Sequence, residues 1–168
     1  MSTIRIFTIV ALITVFYSCG AGARSSTKGD AGVQHAATPS DYTVFENFFP
    51  KNDIETGTVM VLISNKEDFD KYLGVGKTMT NLIVHPDFSK EVVAVICLPT
   101  TNKSTTLSVS DIKRDKGSIL LNISQEVGEE RSYSIRPSLV LGLPMSGLTS
   151  VDFKIDGGES KTVNIPAN

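Results

Sequence analysis

The chain has 168 residues, of which 40% are hydrophobic and 20% charged, a composition typical of a folded globular protein. Its formal net charge is −2 at pH 7 and no stretch concentrates Lys and Arg, so a nucleic acid is not expected as a partner. The sequence holds two cysteines, which excludes a disulfide-rich scaffold. Its stability must therefore come from a hydrophobic core.

Residues 1–18 have the pattern of a secretory signal peptide. Arg5 supplies the positive charge, and residues 6–17 are uncharged and mostly apolar. A membrane-spanning helix needs about 20 apolar residues, so this shorter run is not expected to span a bilayer. We predict that residues 1–18 are removed during export.

Ser18 followed by Cys19 is typical of a lipoprotein signal, in which a lipid is attached to the thiol and the chain is cut before it. Phe16 and Tyr17 are bulkier than a standard lipobox allows, a departure that resembles the relaxed lipoboxes of Bacteroidetes lipoproteins. We therefore predict a lipid at Cys19. The expected location is the cell envelope, on the periplasmic face of a membrane or at the outer-membrane surface.

Residues 19–41 are predicted to be a flexible tether. They are dense in Gly, Ala, Ser and Thr and contain almost no large apolar side chain, so they cannot bury enough surface to fold. A random coil of this length reaches roughly 25 Å, which suits a folded domain held near a membrane. The alternative is an ordinary signal peptide cut after Ala21 or Ala23, which would leave no anchor.

Residues 42–168 are predicted to form a single, mostly β domain. The apolar runs Val59–Ile63 and Val92–Leu98 suit strands that are buried on both faces. Between them, Ser64 or Asn65 is a good N-cap for a helix over Lys66–Leu73, which Gly74 would end.

Two turn signals predict β-hairpins in the second half of the chain. The Gly in residues 114–118 separates a strand at Leu107 and Val109 from one at Ile119–Ile123, and the Asp-Gly-Gly turn at residues 156–158 follows an alternating strand over 151–155. Further strands are expected around Tyr133 and over residues 139–143. The predicted fold class is α+β, a mostly antiparallel β-sheet or sandwich of about seven short strands with one short helix.

No catalytic, cofactor-binding or metal-binding set is recognised, and we predict no enzymatic activity. Cys97 lies in an apolar run and is expected to fill the core. His85 and Asp87 flank a proline and form at most a weak acid–base pair without a nucleophile. The segment 74–78 resembles the end of a phosphate-binding loop, but Lys71 stands where that motif needs Gly, so nucleotide binding is not expected.

The order of several segments resembles the PrcB C-terminal domain family of exported bacterial proteins. They are a strand followed by a helix with Phe69 and Tyr72, the DFSK sequence at Asp87–Lys90 before a valine-rich strand, and the proline-flanked stretch Pro137–Pro144. The family takes its name from a component that stabilises a surface protease complex. The resemblance therefore implies a protein-binding accessory and not a catalyst.

The sequence departs from that family directly after the valine-rich strand. Residues 99–106 read PTTNKSTT, whereas the family usually has glycines and an aromatic residue there. This segment is predicted to be a polar loop, and loops on a rigid sheet often carry binding residues. We take as candidate partner contacts Thr100, Thr101, Asn102 and Lys103.

The predicted function is that of a lipid-anchored, exported, non-enzymatic accessory protein that binds another envelope protein, with a protease complex as the partner the resemblance implies. The alternative is an accessory lipoprotein that binds a glycan or small ligand. That alternative needs exposed aromatic rings along one groove, and the chain has no Trp.

Overall fold

The computed structural model describes residues 41–52, 54, 56–76 and 82–166. The predicted signal peptide, the lipidation site Cys19 and the predicted tether up to residue 40 lie outside the described residues. Within the described part, ten strands and one helix are present. The helix is α1 (Lys66–Tyr72), and the strands are β1 (Thr43–Val44), β2 (Phe48–Pro50), β3 (Val59–Ile63), β4 (Leu73–Val75), β5 (Glu91–Cys97), β6 (Thr101–Asp115), β7 (Ser118–Ile135), β8 (Ser138–Pro144), β9 (Ser150–Ile155) and β10 (Ser160–Asn164).

The strands form two four-stranded sheets and a short ribbon. Sheet 1 has the order β1-β8-β5-β3, and all its neighbouring strands are antiparallel. Sheet 2 has the order β10-β9-β7-β6, in which only the β7–β9 pair is parallel. The β2–β4 ribbon is antiparallel. The predicted mostly antiparallel, sandwich-like fold with one short helix is thus confirmed.

Strand β5 lies at the centre of the molecule because both of its faces are buried. Val92, Ala94 and Ile96 point into the core between the two sheets. Val93, Val95 and Cys97 point to the opposite side, toward α1 and β2. All of these side chains are at most 1% exposed. The continuous apolar run in the sequence therefore reflects a strand covered on both sides.

Sheet 2 closes one face of sheet 1 with alternating apolar side chains. Ile119, Leu121 and Ile123 of β7 and Val151 and Phe153 of β9 are all at most 1% exposed. The residues between them on β7 and β9 are only partly buried, the period of two that a half-exposed sheet requires. Two sheets that share one apolar interior make this part of the domain a β-sandwich.

The other face of sheet 1 is covered by α1 and the β2–β4 ribbon. Phe69 of α1 is 2% exposed, and its ring packs edge-to-face on Phe48 with the ring centroids 4.9 Å apart. Of the two predicted caps, Ser64 and Asn65, the helix uses Asn65, whose side chain accepts a hydrogen bond from the N–H of Asp68 at 2.8 Å. Helix and ribbon thus turn sheet 1 into a middle layer.

The helix ends one residue earlier than predicted, and Gly74 has another role. Leu73 is already extended and starts β4. Gly74 lies under the ring of Phe49, where a Cβ atom would come within 2.8 Å of the ring carbon Cε2. The glycine that was predicted to end the helix therefore leaves space for the ring of Phe49.

The structure has more and longer strands than the sequence pattern indicates. The strand predicted at residues 119–123 and the one predicted around Tyr133 are both parts of β7, which has 18 residues. Strands β1, β2 and β4 have two or three residues each, too few for a periodic pattern. Both predicted hairpins are present, as β6–β7 and β9–β10.

The two hairpin turns offer a matched test of backbone strain. Gly117 and Gly157 both have positive φ, at 94° and 71°. A Cβ on Gly117 would also lie 2.9 Å from the carbonyl oxygen of Gly147, whereas Gly157 has open space around it. We expect Gly157→Ala to lower the free energy of unfolding by about 1 kcal/mol and Gly117→Ala by about 2 kcal/mol or more. Urea unfolding measures both, and equal losses would contradict the role of the close carbonyl.

Candidate functional site

The outer half of the β6–β7 hairpin projects beyond the core, and we call it the arm. It consists of residues 101–106 of β6 and 126–135 of β7. Every residue from Glu126 to Ser134 is exposed, and no residue of the arm is fully buried. The arm is therefore a polar two-stranded ribbon that is continuous with sheet 2.

The arm corrects one prediction made from the sequence. Thr100 to Lys103 were expected in a loop, but β6 begins at Thr101, so three of the four residues belong to a strand. The segment carries polar side chains on both faces and therefore lacks the apolar alternation that marks a half-buried strand. Pairing with β7 makes it a strand, and this pairing is not visible in the local sequence.

The arm is irregular on one strand only. From Thr101 to Lys103 the partner positions on β7 move from Ile135 to Glu130, and from Lys103 to Thr105 they move from Glu130 to Val127. Over each of these two intervals β7 contains more residues than β6, which contains two. The extra residues therefore form bulges in β7. The outer edge of β6 keeps a regular strand backbone along the arm.

A groove opens between the inner face of the arm and the end of sheet 1. Its volume is about 380 Å³. The buried face of sheet 2 carries Leu107 and Ile123, and by strand alternation the same face continues outward as Thr105 and Gln125. Sheet 1 has ended here, so no strand of the described part of the chain faces these positions. The groove is lined by Thr58, Leu98, Pro99, Thr100, Thr101, Lys103, Thr105, Gln125, Val127 and Pro137.

Arg136 holds the floor of the groove in place. Its guanidinium donates hydrogen bonds to the carbonyl oxygens of Leu98 at 3.4 Å, Ile54 at 3.3 Å and Gly57 at 3.3 Å. The N–H of Leu98 donates to the carbonyl of Pro137 at 2.9 Å. The chain segments before β3, after β5 and before β8 are thereby joined at one point, so the floor is rigid.

A side-chain cluster joins the two strands of the arm. The guanidinium of Arg131 donates to the hydroxyl oxygen of Ser104 at 2.6 Å and to the hydroxyl of Tyr133. Its central carbon also lies 5.5 Å from the centroid of the Tyr133 ring, within the range of a cation–π contact. None of these three residues lines the groove, so the cluster stiffens the arm without occupying the groove.

Lys103 is the charged side chain of the groove lining, and its ammonium has no ionic partner among the described residues. The ion pairs of the described residues are Lys66–Asp70, Lys90–Asp87 and Lys113–Asp111. Glu130 is opposite Lys103 in the register but does not line the groove. Val127 adds an apolar side chain that is 54% exposed. The groove therefore combines one unpaired cation with an apolar wall.

Three of the four predicted contact residues meet in this groove. Thr100, Thr101 and Lys103 line it, whereas Asn102 is exposed but does not. The sequence analysis missed the lining residues from elsewhere in the chain. Val127 was the one with a visible signal, because an apolar residue stands alone there in a polar stretch. The missed residues are Thr58, Leu98, Pro99, Thr105, Gln125, Val127 and Pro137.

The groove lies at the end of the sandwich opposite to Asp41, the first described residue. Asp41 is bonded through its carbonyl to Arg114, next to the β6–β7 turn, and Thr43 pairs with Gly142 near the start of β5. The groove is lined by Leu98, just past the other end of β5. The length of β5 separates the two ends by about 20 Å.

The weak acid–base pair at His85 and Asp87 does not form. The Asp87 carboxylate accepts hydrogen bonds from the N–H of Ser89 at 3.1 Å and its hydroxyl at 2.6 Å, and it pairs with Lys90 at 2.7 Å. The bond from Lys90 and those from Ser89 lower the pKa of Asp87 to about 2. The His85 ring instead packs on Phe48 with the ring centroids 5.6 Å apart. The DFSK sequence thus forms a turn before β5.

Other candidate chemistry is also lacking from the described residues. No group of three or more His, Cys, Asp or Glu residues among them could hold a metal ion. None of their helices is long and apolar enough to cross a membrane. Lys77 and Thr78, the last residues of the phosphate-loop resemblance, lie outside the described part.

Searches of protein-family models, curated proteins and solved structures each find no significant match to this chain. The resemblance to the PrcB C-terminal domain family therefore stays a prediction that depends on the order of segments in the sequence.

Cys97 gives a pH-dependent test of the buried core. Burial raises the pKa of its thiol from 9.0 to about 11, with Arg136 acting weakly in the opposite direction. The unfolded chain therefore releases this proton before the native protein does, and stability is lost as pH rises from 9.0 toward 11. We expect this residue to contribute a loss of about 2 kcal/mol across that window.

The measurement is urea unfolding of the reduced protein and of Cys97→Ala on either side of the window. Other groups that titrate there act equally in both proteins, so the difference in pH dependence isolates Cys97. An equal loss of stability in the two proteins would contradict a thiol protected by burial.

Proposed function

We propose that this protein is a lipid-anchored, exported accessory protein that binds another envelope protein through its arm and groove. The observation that carries the proposal is a rigid groove beside an exposed ribbon, with an unpaired Lys103 and an exposed Val127 in its lining. An apolar side chain at a place where the paired sheet has ended is suited to contact with another chain. A protease or its complex is the partner class that the family resemblance implies.

The position of the groove suits an anchored protein. A tether attached to Cys19 would enter the domain beside Arg114, and the groove lies at the other end of the sandwich. A lipid at Cys19 would therefore attach the domain at the end away from the groove. The envelope location follows from the same signal sequence.

We propose a non-enzymatic role because two side chains that the sequence offers for catalysis are unsuited to it. The Cys97 thiol is fully buried with a raised pKa, and a reactive thiol needs exposure and a lowered one. The Asp87 carboxylate is occupied by Ser89 and Lys90. Neither group lines the groove.

Binding of a glycan or small ligand is the second candidate, and the groove favours it less. Sugar-binding sites usually stack exposed aromatic rings on the ligand, but the lining of this groove includes none. The exposed rings Tyr133 and Phe49 lie on the arm and on the β2–β4 ribbon, not in one groove. A protein partner is thus the better match.

The partner proposal is tested by a photo-crosslinking residue at Val127 in the full-length protein in its native cells. We expect one discrete adduct with an exported protein, and we expect Thr101→Arg, which fills the groove, to reduce its yield at least about tenfold. The matched control is the same crosslinker at Lys161, an exposed position on β10 outside the groove. No adduct, or the same adducts at both positions, would contradict the proposal.

The anchor is tested by comparing the two cysteines. We expect Cys19→Ser to move the protein from the membrane to the soluble fraction, because a protein without its acyl chains loses the energy of their burial in the bilayer. Cys97→Ala serves as the control and should still fractionate with membranes. Retention of Cys19→Ser in the membrane fraction would refute lipidation at this residue.

A further inference from the structure

The outer edge of β6 is a regular strand edge with no strand beside it in the described structure. In sheet 2, β6 is the last strand in the order, and among the described strands it pairs with β7 alone. Among the backbone hydrogen bonds outside the strand pairs of the described part, none involves residues 101–109. Such an edge offers a row of N–H and C=O groups to another extended chain.

The free edge of β6 is regular where it borders the groove. The bulges of the arm lie on β7, so β6 is regular from Thr101 to Val109. The next residue, Ser110, is an extra residue on β6 and interrupts the edge. A strand added to β6 would extend sheet 2 by one strand. Its inward side chains would lie beside Thr101, Lys103 and Thr105, which already line the groove.

The hydroxyl groups of two threonines form hydrogen bonds with the backbone N–H and C=O of Lys103 in the free protein. The N–H of Lys103 donates to the hydroxyl of Thr101 at 3.1 Å, and the hydroxyl of Thr105 donates to the carbonyl of Lys103 at 3.2 Å. Both are exposed, uncharged hydrogen bonds, which contribute on the order of 1 kcal/mol each. An arriving strand can replace them with bonds of the same kind at little cost.

The unpaired ammonium of Lys103 favours a partner strand with a negatively charged side chain at the opposite position. On one face of an antiparallel pair, a residue directly opposite has its Cβ about 5 Å away, near enough for a cross-strand ion pair. Glu130 is already directly opposite Lys103 on β7 and offsets part of its charge without forming an ion pair in the described structure. A carboxylate on the added strand would be two strand spacings, about 10 Å, from Glu130. Salt screens that repulsion because the distance is about one Debye length.

A second copy of this chain is a poor occupant of the same edge in the register that is centred on Lys103. Antiparallel pairing of two β6 edges about a point near Lys103 would bring two ammonium groups opposite each other, which is destabilising. The edge favours a different chain that carries a negative charge at this position.

We infer that β6 binds an extended acidic segment of the partner protein, which adds as a fifth strand to sheet 2 and places an Asp or Glu side chain opposite Lys103. The residues two positions before and after that acid lie opposite Thr101 and Thr105, where β-branched side chains pack best. The motif is therefore an acidic residue with Val, Ile or Thr two positions away on each side. This inference rests on the proposed function and names the chemistry of the partner.

The test is selection of peptides by the full-length protein in detergent micelles from a displayed library of random peptides of about seven residues. We expect enrichment of the acidic motif, with binding of a selected peptide weakened about tenfold or more in Lys103→Glu. Lys103→Arg should preserve the preference for acidic peptides. Lys161→Glu reverses a charge on β10, the opposite edge strand of sheet 2, and should also preserve it.

Several outcomes would overturn the inference. They are no enrichment, enrichment of basic peptides, an unchanged preference in Lys103→Glu, or formation of a dimer through β6. If the crosslinker at Val127 captures a partner but selection yields no acidic motif, the inference fails and the proposed function stands. If the motif is selected but no envelope protein is captured, the proposed function fails.

Discussion

Burial of β5 on both faces is the constraint on which the rest of the domain depends. A strand with apolar side chains on both faces must be covered on two sides, and here sheet 2 covers Val92, Ala94 and Ile96 while α1 and the β2–β4 ribbon cover the other face. The three layers follow from this one strand. Because β5 and its neighbour β8 are short, the shared interior also ends early, at Leu98.

The arm exists because sheet 2 is longer than sheet 1. Strands β6 and β7 have 15 and 18 residues, whereas β5 and β8 have seven each. The excess length has no opposing sheet, and its side chains are accordingly polar. The groove lies where sheet 1 ends and the strands of sheet 2 continue. Arg136 fixes its floor by donating hydrogen bonds to three carbonyl oxygens. A rigid recess beside an open strand edge combines side-chain and backbone recognition in one place.

Much of the fold could be predicted from the sequence, but the site only in part. The buried runs, the start of the helix and both hairpin turns were predicted correctly, because each depends on local periodicity or backbone conformation. Thr100, Thr101 and Lys103 were chosen as a polar loop, and they line the groove from a strand instead. An exposed strand with two polar faces has no periodic signal, so its pairing with β7 was not recognised.

The sequence by itself determined the mostly antiparallel fold class, the buried place of Cys97 and the turns at residues 116–117 and 156–157, since apolar pattern and glycine conformation act over a few residues. Only the tertiary structure decided that Val127 and Pro137 meet Lys103, and that the groove lies opposite the point where the N-terminal segment enters. These features depend on the different lengths of two packed sheets. Sheet length is set by pairing between distant parts of the chain, which no local pattern records.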